Sequence, residues 1–307
     1  MRGSGRVLFV FLDGVGIGDE DESRNPWLRA RIPTLLSVMG GKPPTRAHAT
    51  HRASDSAVVP LDATMGVDGT PQSGTGQAAL LTGENAAHIH GSHFGPWTPV
   101  GLRPLVEERS VLRTARDAGA RVAFANAYPR GWPGPGARGS RRVAGPPLAA
   151  RGAGVLDRHE EALGNGTAVS SEIVNDGWRS HLGYDWLPEI TPEHAGRNLA
   201  LLSGQADLTL YAHYATDTAG HRGGMRGAIE ALERVDRFFS GVLDHLPPGT
   251  TVVVASDHGN LEDVETGHTL NPALGLVVGP ATEALAPGLA AITDVPGALM
   301  AQVAPPD

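Results

Sequence analysis

The chain has 307 residues, room for one large α/β domain with an insertion or for two domains. It carries 25 basic against 33 acidic residues, a formal charge of −8, which argues against nucleic acid as a general partner. There is no cysteine, which excludes disulfides, thiolate metal sites and cysteine nucleophiles, and the single lysine, Lys42, lies in a Gly-Gly-Lys-Pro-Pro turn, which speaks against a pyridoxal-phosphate enzyme.

Arg6 to Leu12 reads as the first buried strand, with Asp13 at its end. Its apolar run, Val7 to Leu12, is too short for a signal-peptide core or a membrane span, so a soluble cytoplasmic protein without a membrane partner is expected. Gly14-Val15-Gly16-Ile17-Gly18 follows. A dinucleotide site would need a helix directly after such glycines, and none is evident. The run reads instead as a turn that lets the backbone pass close to something bound at Asp13. A short helix is expected over 34–39 and a strand over 58–61. Ala78 to Leu81 looks helical, with Gly83 as its C-cap and Ser73 at its N-terminus. Ser73 is then either an ordinary cap or a nucleophile whose developing anion the helix dipole favours. His88, His90 and His93 crowd the loop that follows, as solvated, supporting or substrate-binding groups.

Val111 to Ala118 reads as a helix and Arg121 to Ala125 as a strand. From Tyr128 to about Ile190 the periodicity weakens, glycine and proline punctuate the chain, and Arg130, Arg138, Arg141 and Arg142 cluster. This is expected to be a small inserted cap, residues 127–191, between core segments 1–126 and 192–307. Its arginines are either solvated or reach an anionic substrate. Regular alternation then resumes with a helix over 193–202 and a strand over 208–212, followed by Asp217-Thr218-Ala219-Gly220-His221. Met225, Ile229, Leu232, Val235, Phe239, Val242 and Leu246 recur every three or four residues, which predicts an amphipathic helix. Thr251 to Val254 is a β-branched run ending on Asp257-His258-Gly259-Asn260, with His268 ten residues after His258. A strand over 274–278 and a helix over 296–303 close the chain.

Asp13, Asp217 and Asp257 are thus expected at strand ends, and His221, His258 and His268 join them. With Ser73 this makes seven candidate ligands, enough for two ions of the zinc or manganese type. Two such ions can clamp the attacking and leaving oxygens of an in-line phosphoryl transfer. The bland alternative for the Asp257 stretch is a charged loop after a strand.

The order of these motifs resembles the alkaline phosphatase superfamily, nearest its cofactor-independent phosphoglycerate mutase and phosphopentomutase branch. The resemblance rests on Leu12-Asp13-Gly14, on Ser73 followed by Thr82-Gly83, and on Asp217-x-x-x-His221. Asp257-His258-Gly259-Asn260 and Gly267-His268-Thr269-x-Asn271-Pro272 complete it. It implies a mostly parallel α/β sheet sandwiched by helices, with the small cap inserted. It also implies two divalent ions (manganese or zinc), one on Asp217, His221 and His268, the other on Asp13, Ser73, Asp257 and His258. Ser73 would attack a small phosphorylated substrate, with Thr75 as the rival nucleophile. The mutases of this type carry a larger insertion with a substrate-binding lysine, which is absent here. Hydrolysis through phospho-Ser73 is therefore the leading expectation, phosphate transfer within one substrate the alternative, and a metal-binding protein without catalysis the third. The oligomeric state is left open.

Overall fold

The computed structural model describes residues 5–133 and 142–303. Among the described residues, seven strands form one sheet in the order β2-β3-β7-β6-β1-β5-β4. They are β1 (Arg6–Leu12), β2 (His51–Arg52), β3 (Ser56–Leu61), β4 (Val122–Phe124), β5 (Leu208–His213), β6 (Thr250–Ala255) and β7 (Ala273–Val278).

The central strand decides where the chemistry sits. β1 pairs in parallel with β5 and with β6, and Val10 lies opposite both Tyr211 and Val254. The three strands therefore end at the same edge, and Asp13, the helix after β5 and Asp257 emerge side by side. This is the edge at which open α/β sheets bind ligands. β4 adds a fourth strand, parallel to β5.

The core strands β6, β1, β5 and β4 are parallel as expected, whereas the other half makes the sheet mixed. β7 runs antiparallel to β6, β3 antiparallel to β7, and β2 antiparallel to β3. The chain returns from β6 to β7 through the loop that carries His268, with no crossover helix, and such a direct return reverses the strand. Ala273–Val278 is apolar on both faces, so its composition carries no sign of direction.

Alternate residues of β1 feed opposite faces of the sheet. Val7, Phe9 and Phe11 pack with Ala78 to Leu81 and with Leu299 and Val303. Leu8, Val10 and Leu12 pack with Leu199, Leu232, Val235 and Val242. Each large side chain buried this way contributes about 1.5–3 kcal/mol. The amphipathic pattern folds as the helix Gly224–His245. It lies so close to the helix Pro192–Ser203 that a Cβ on Gly196 would stand 2.0 Å from the Phe238 carbonyl oxygen.

Within 127–191, a helix at Gly145–Gly152 places Leu148, Ala149 and Ala150 in the apolar cluster that holds Phe9. Ala127, Leu163, Ala168, Trp178 and Leu187 form a small cluster of their own. Arg130 is exposed and pairs with Glu160 and Glu161, Arg142 is exposed, and Arg138 and Arg141 lie outside the described residues. Among the described residues no helix is long and apolar enough to cross a membrane.

Candidate metal centre

Asp13 follows β1 directly. Its N–H donates to the His213 carbonyl at 2.9 Å, and its carbonyl accepts from Thr216 Oγ1 at 2.6 Å. Asp257 and His258 follow β6, and both are fully buried. Asp217 departs from expectation: it sits not at a strand end but in the first turn of the helix Ala215–Arg222, with His221 one turn later on the same face. Ser73 is the first residue of the helix Ser73–Thr82, and Gln72 takes the cap position, so Ser73 is not the cap. Its hydroxyl points to His258 Nε2 at 2.9 Å.

Two groups of side chains result. In the first, donor atoms of Asp13, Asp257 and His258 lie within 4.8 Å of one another, and all three residues are buried. In the second, donor atoms of Asp217, His221 and His268 meet the same limit. The His258 and His268 rings stack with centroids 4.0 Å apart, so the two groups adjoin. The second group is the open one: the His221 side chain is 41% exposed, whereas that of His258 is 0% exposed.

The directions of the side chains say what the first group is built for. Ser73 Oγ, Asp13 Oδ1 and Asp257 Oδ2 approach a single atom, His258 Nε2, at 2.9, 3.4 and 3.7 Å. A serine–histidine–carboxylate relay would put the carboxylate on the other ring nitrogen. Here Nδ1 faces the Gly259 carbonyl at 3.2 Å, leaving Nε2 for the shared point. Asp13 Oδ1 and Asp257 Oδ2 are buried with no hydrogen-bond partner. Two orphaned carboxylate oxygens cost several kcal/mol unless a cation meets them.

The second group repeats the pattern. His221 Nε2 and His268 Nε2 face each other at 3.0 Å, and Asp217 Oδ1 stands 3.5 and 3.6 Å from them. His268 Nδ1 is turned to the Pro71 carbonyl at 2.9 Å, which again leaves Nε2 for the centre.

The electrostatics of the buried groups point the same way. Burial, reinforced by Asp13 and Asp217, pushes the Asp257 carboxyl well above the ordinary carboxylate range. Burial alone would lower His258, but the charges of Asp257, Asp13 and Asp217 win and raise it to about 10. Burial also raises Asp13, against the pull of His258. Burial works to raise Asp217, yet His268, His258 and Asn260 together lower it. Buried carboxylates raised by burial and by one another make a centre whose charge a divalent ion would offset. The residues present fit a pair of divalent ions.

Thr75 is fully buried but faces elsewhere: its hydroxyl lies 3.3 Å from the Gln72 carbonyl and accepts from the Phe94 N–H at 3.1 Å. His88 and His90 lie exposed on a short helix, Ala86–His90, and His93 turns Nε2 to the Val67 carbonyl at 3.2 Å. None of the three histidines joins either group.

Several supporting residues escaped sequence reasoning. Gln77, mid-helix and unremarkable by type, donates to Asp13 Oδ2 at 3.1 Å. Ser256 accepts from the Val15 N–H at 2.8 Å, tying the Asp13 turn to β6. Asn260 stands in the Asp257-His258-Gly259-Asn260 motif, and its Nδ2 holds Asp217 Oδ1 at 2.6 Å.

Comparison with known proteins agrees with this geometry. Residues 193–302 match the model of the Metalloenzyme superfamily. A 2,3-bisphosphoglycerate-independent phosphoglycerate mutase of Ruegeria pomeroyi is 37% identical over 136 residues, which is 40% of this chain and 27% of the mutase. The chain thus spans about a quarter of the length of that relative. In fold it is similar to the PH0037 protein from Pyrococcus horikoshii, with a TM-score of 0.61 at 14% identity over 99% of this chain and 98% of that one. It is also similar to the alkaline phosphatase of the Antarctic bacterium TAB5, with a TM-score of 0.51 at 10% identity over 97% and 98%. The resemblance is thus carried in sequence by the metalloenzyme family model and the phosphoglycerate mutases, and in fold alone by the alkaline phosphatase.

Proposed function

We propose that this chain is a two-metal-dependent phosphoryl-transfer enzyme that hydrolyses a small phosphate ester through phospho-Ser73. The observation that carries the reading is the convergence of Ser73 Oγ and two orphaned carboxylate oxygens on His258 Nε2, beside a second ligand group. Asp13, Ser73, Asp257 and His258 would hold one ion, and Asp217, His221 and His268 the other. Bound there, divalent ions supply charge that favours an ionised Ser73 oxygen and offsets the charge of the leaving oxygen.

The chain's own residues do the rest. The N-terminal end of the Ser73–Thr82 helix favours negative charge on Ser73. Gln77 and Asn260 hold Asp13 and Asp217 in place. Ser73 loses its hydroxyl proton as its oxygen bonds phosphorus, and the ester oxygen leaves and is protonated as the alcohol. Water then cleaves phospho-Ser73 and releases inorganic phosphate. Thr75, committed to Gln72 and Phe94, is not the nucleophile in this reading.

The second reading, a phosphomutase, is favoured by the identity to phosphoglycerate mutases. A mutase must hold the dephosphorylated product and exclude water until the group returns, which takes a closing cap. The helix Gly145–Gly152 packs into the core, so we take only 127–133 and 153–191 as covering segment, too short to shut the site, and therefore expect water to win. The test incubates the metal-loaded protein with 3-phosphoglycerate, pentose phosphates and an aryl phosphate, and measures inorganic phosphate and positional isomers together. Phosphate release supports the hydrolase. Isomers that far outpace phosphate move the assignment to the mutase. Turnover of none of them, in protein carrying both ions, supports a metal-binding protein without catalysis.

A further inference from the structure

Glu262 is 1% exposed and lies outside both ligand groups, yet four hydrogen bonds end on its carboxylate. Oε2 accepts from the Gly16 N–H at 3.0 Å and from the Asn260 N–H at 2.8 Å. Oε1 accepts from Thr269 Oγ1 at 2.5 Å and from Asn271 Nδ2 at 3.0 Å. The donors come from three segments of two loops, the one after β1 and the β6–β7 loop to which Glu262 itself belongs. Gly16 lies in the turn that begins with Asp13, Asn260 in the turn that carries Asp257 and His258, and Thr269 directly follows His268. The fourth ligand-bearing element is reached through Asn260, whose side chain holds Asp217.

The glycines around the site keep the space that this arrangement needs. A Cβ on Gly16 would stand 2.4 Å from Glu262 Cδ, and one on Gly259 would stand 2.4 Å from Glu262 Oε1. The glycine run after β1, which the sequence leaves as a turn close to something bound at Asp13, thus admits a carboxylate from the chain itself.

We infer that Glu262 is a positioning residue that holds the ligand-bearing loops in the relative places two divalent ions require. This rests on the metal-centre reading above. A carboxylate is the side chain for the task because both its oxygens accept and neither donates. An amide of the same shape fails whichever way it turns, because each oxygen faces two donors and one would be replaced by an NH2. Partners that orient metal ligands from behind typically contribute 10–100-fold to affinity.

The experiment measures binding of manganese alone, and separately of zinc alone, to the 307-residue apoprotein by equilibrium dialysis, together with its Tm before metal is added. Glu262→Gln is expected to weaken manganese binding by about 10–100-fold at both sites. Leu199→Ala, a core change that lowers Tm without touching the loops, is expected to keep wild-type affinity; a merely structural role for Glu262 would give that same behaviour. Thr269→Val is expected to weaken binding while Thr269→Ser, which keeps the donor, restores it. Folded Glu262→Gln protein with wild-type affinity for both ions overturns the inference. Should that variant not fold, the Thr269 pair decides: equal affinities for the Val and Ser forms overturn it. Wild-type protein that takes up neither ion overturns the metal-centre reading and this inference with it, whereas the earlier outcomes leave that reading standing.

Discussion

Asn260 offers the sharpest single perturbation of the centre. Its Nδ2 donates to Asp217 Oδ1 at 2.6 Å and to the Asp217 carbonyl at 3.1 Å, and the residue is fully buried. Asn260→Ala removes both bonds, one of them to a charged acceptor. Hydrogen bonds to charged groups contribute about 1.5–3 kcal/mol, so about 2 kcal/mol of orientation is lost from Asp217. At 1.4 kcal/mol per tenfold, that is about 30-fold in the affinity of the ion shared with His221 and His268. The effect should be one-sided, because no Asn260 side-chain bond reaches Asp13, Asp257 or His258. Asn260→Asp should be worse, since it sets a second carboxylate against Asp217 at hydrogen-bond distance. Titration of the apoprotein with manganese, resolved into two sites, measures this directly. Loss of affinity spread equally over both sites, or an Asp variant that binds as well as wild type, would refute the reasoning.

Other outcomes follow from the same geometry. Ser73→Ala should abolish turnover yet fold and keep at least one ion, while Thr75→Ala should leave measurable turnover; the reverse result in an aryl-phosphate assay moves the nucleophile to Thr75. Asp257→Asn and His268→Ala should each lose activity and part of the bound metal, checked by elemental analysis; full occupancy in both would contradict the ligand sets. Gly196→Ala should lower stability by about 1–3 kcal/mol in chemical denaturation, because its Cβ would press on the Phe238 carbonyl and force two helices apart. Hydrogen bonds from Arg237, working against partial burial, hold Glu193 down at about 2, below its ordinary value of 4.5. The folded state thus binds its proton less readily than the unfolded chain, so the pair's contribution is full above about pH 4.5 and is lost as pH falls toward 2. Because the Glu193 side chain is 41% exposed, solvent screening limits that contribution to about 1 kcal/mol or less. Tm values of wild type and Glu193→Gln should therefore differ slightly at pH 7 and converge in acid; a gap that widens in acid contradicts the sign.

The sequence was most legible where one residue type has one use. An apolar run marked β1, a β-branched run marked β6, and the three-to-four spacing of apolar residues marked the helix Gly224–His245 within a residue or two. The carboxylates and histidines could be gathered because they follow strands and stand in a recognisable order. Strand direction was not legible, since β7 is apolar on both faces whichever way it runs. Asp217 was misplaced by one element because a short helix follows β5 with no loop to separate them. Gln77 and Glu262 were missed for a common reason. Each acts through a partner distant in the chain, Asp13 for one and Gly16 for the other, and a residue's type does not show which distant atom it meets.

The central claim is that phosphate passes through Ser73 at a metal centre. The most direct measurement is rapid acid quenching of the manganese-loaded protein during turnover of an aryl phosphate, followed by mass spectrometry of the peptide that contains Ser73. The account predicts a phosphoryl adduct on Ser73, absent from metal-free protein and from Ser73→Ala. Sustained turnover without an adduct, and undiminished in Ser73→Ala, would contradict it.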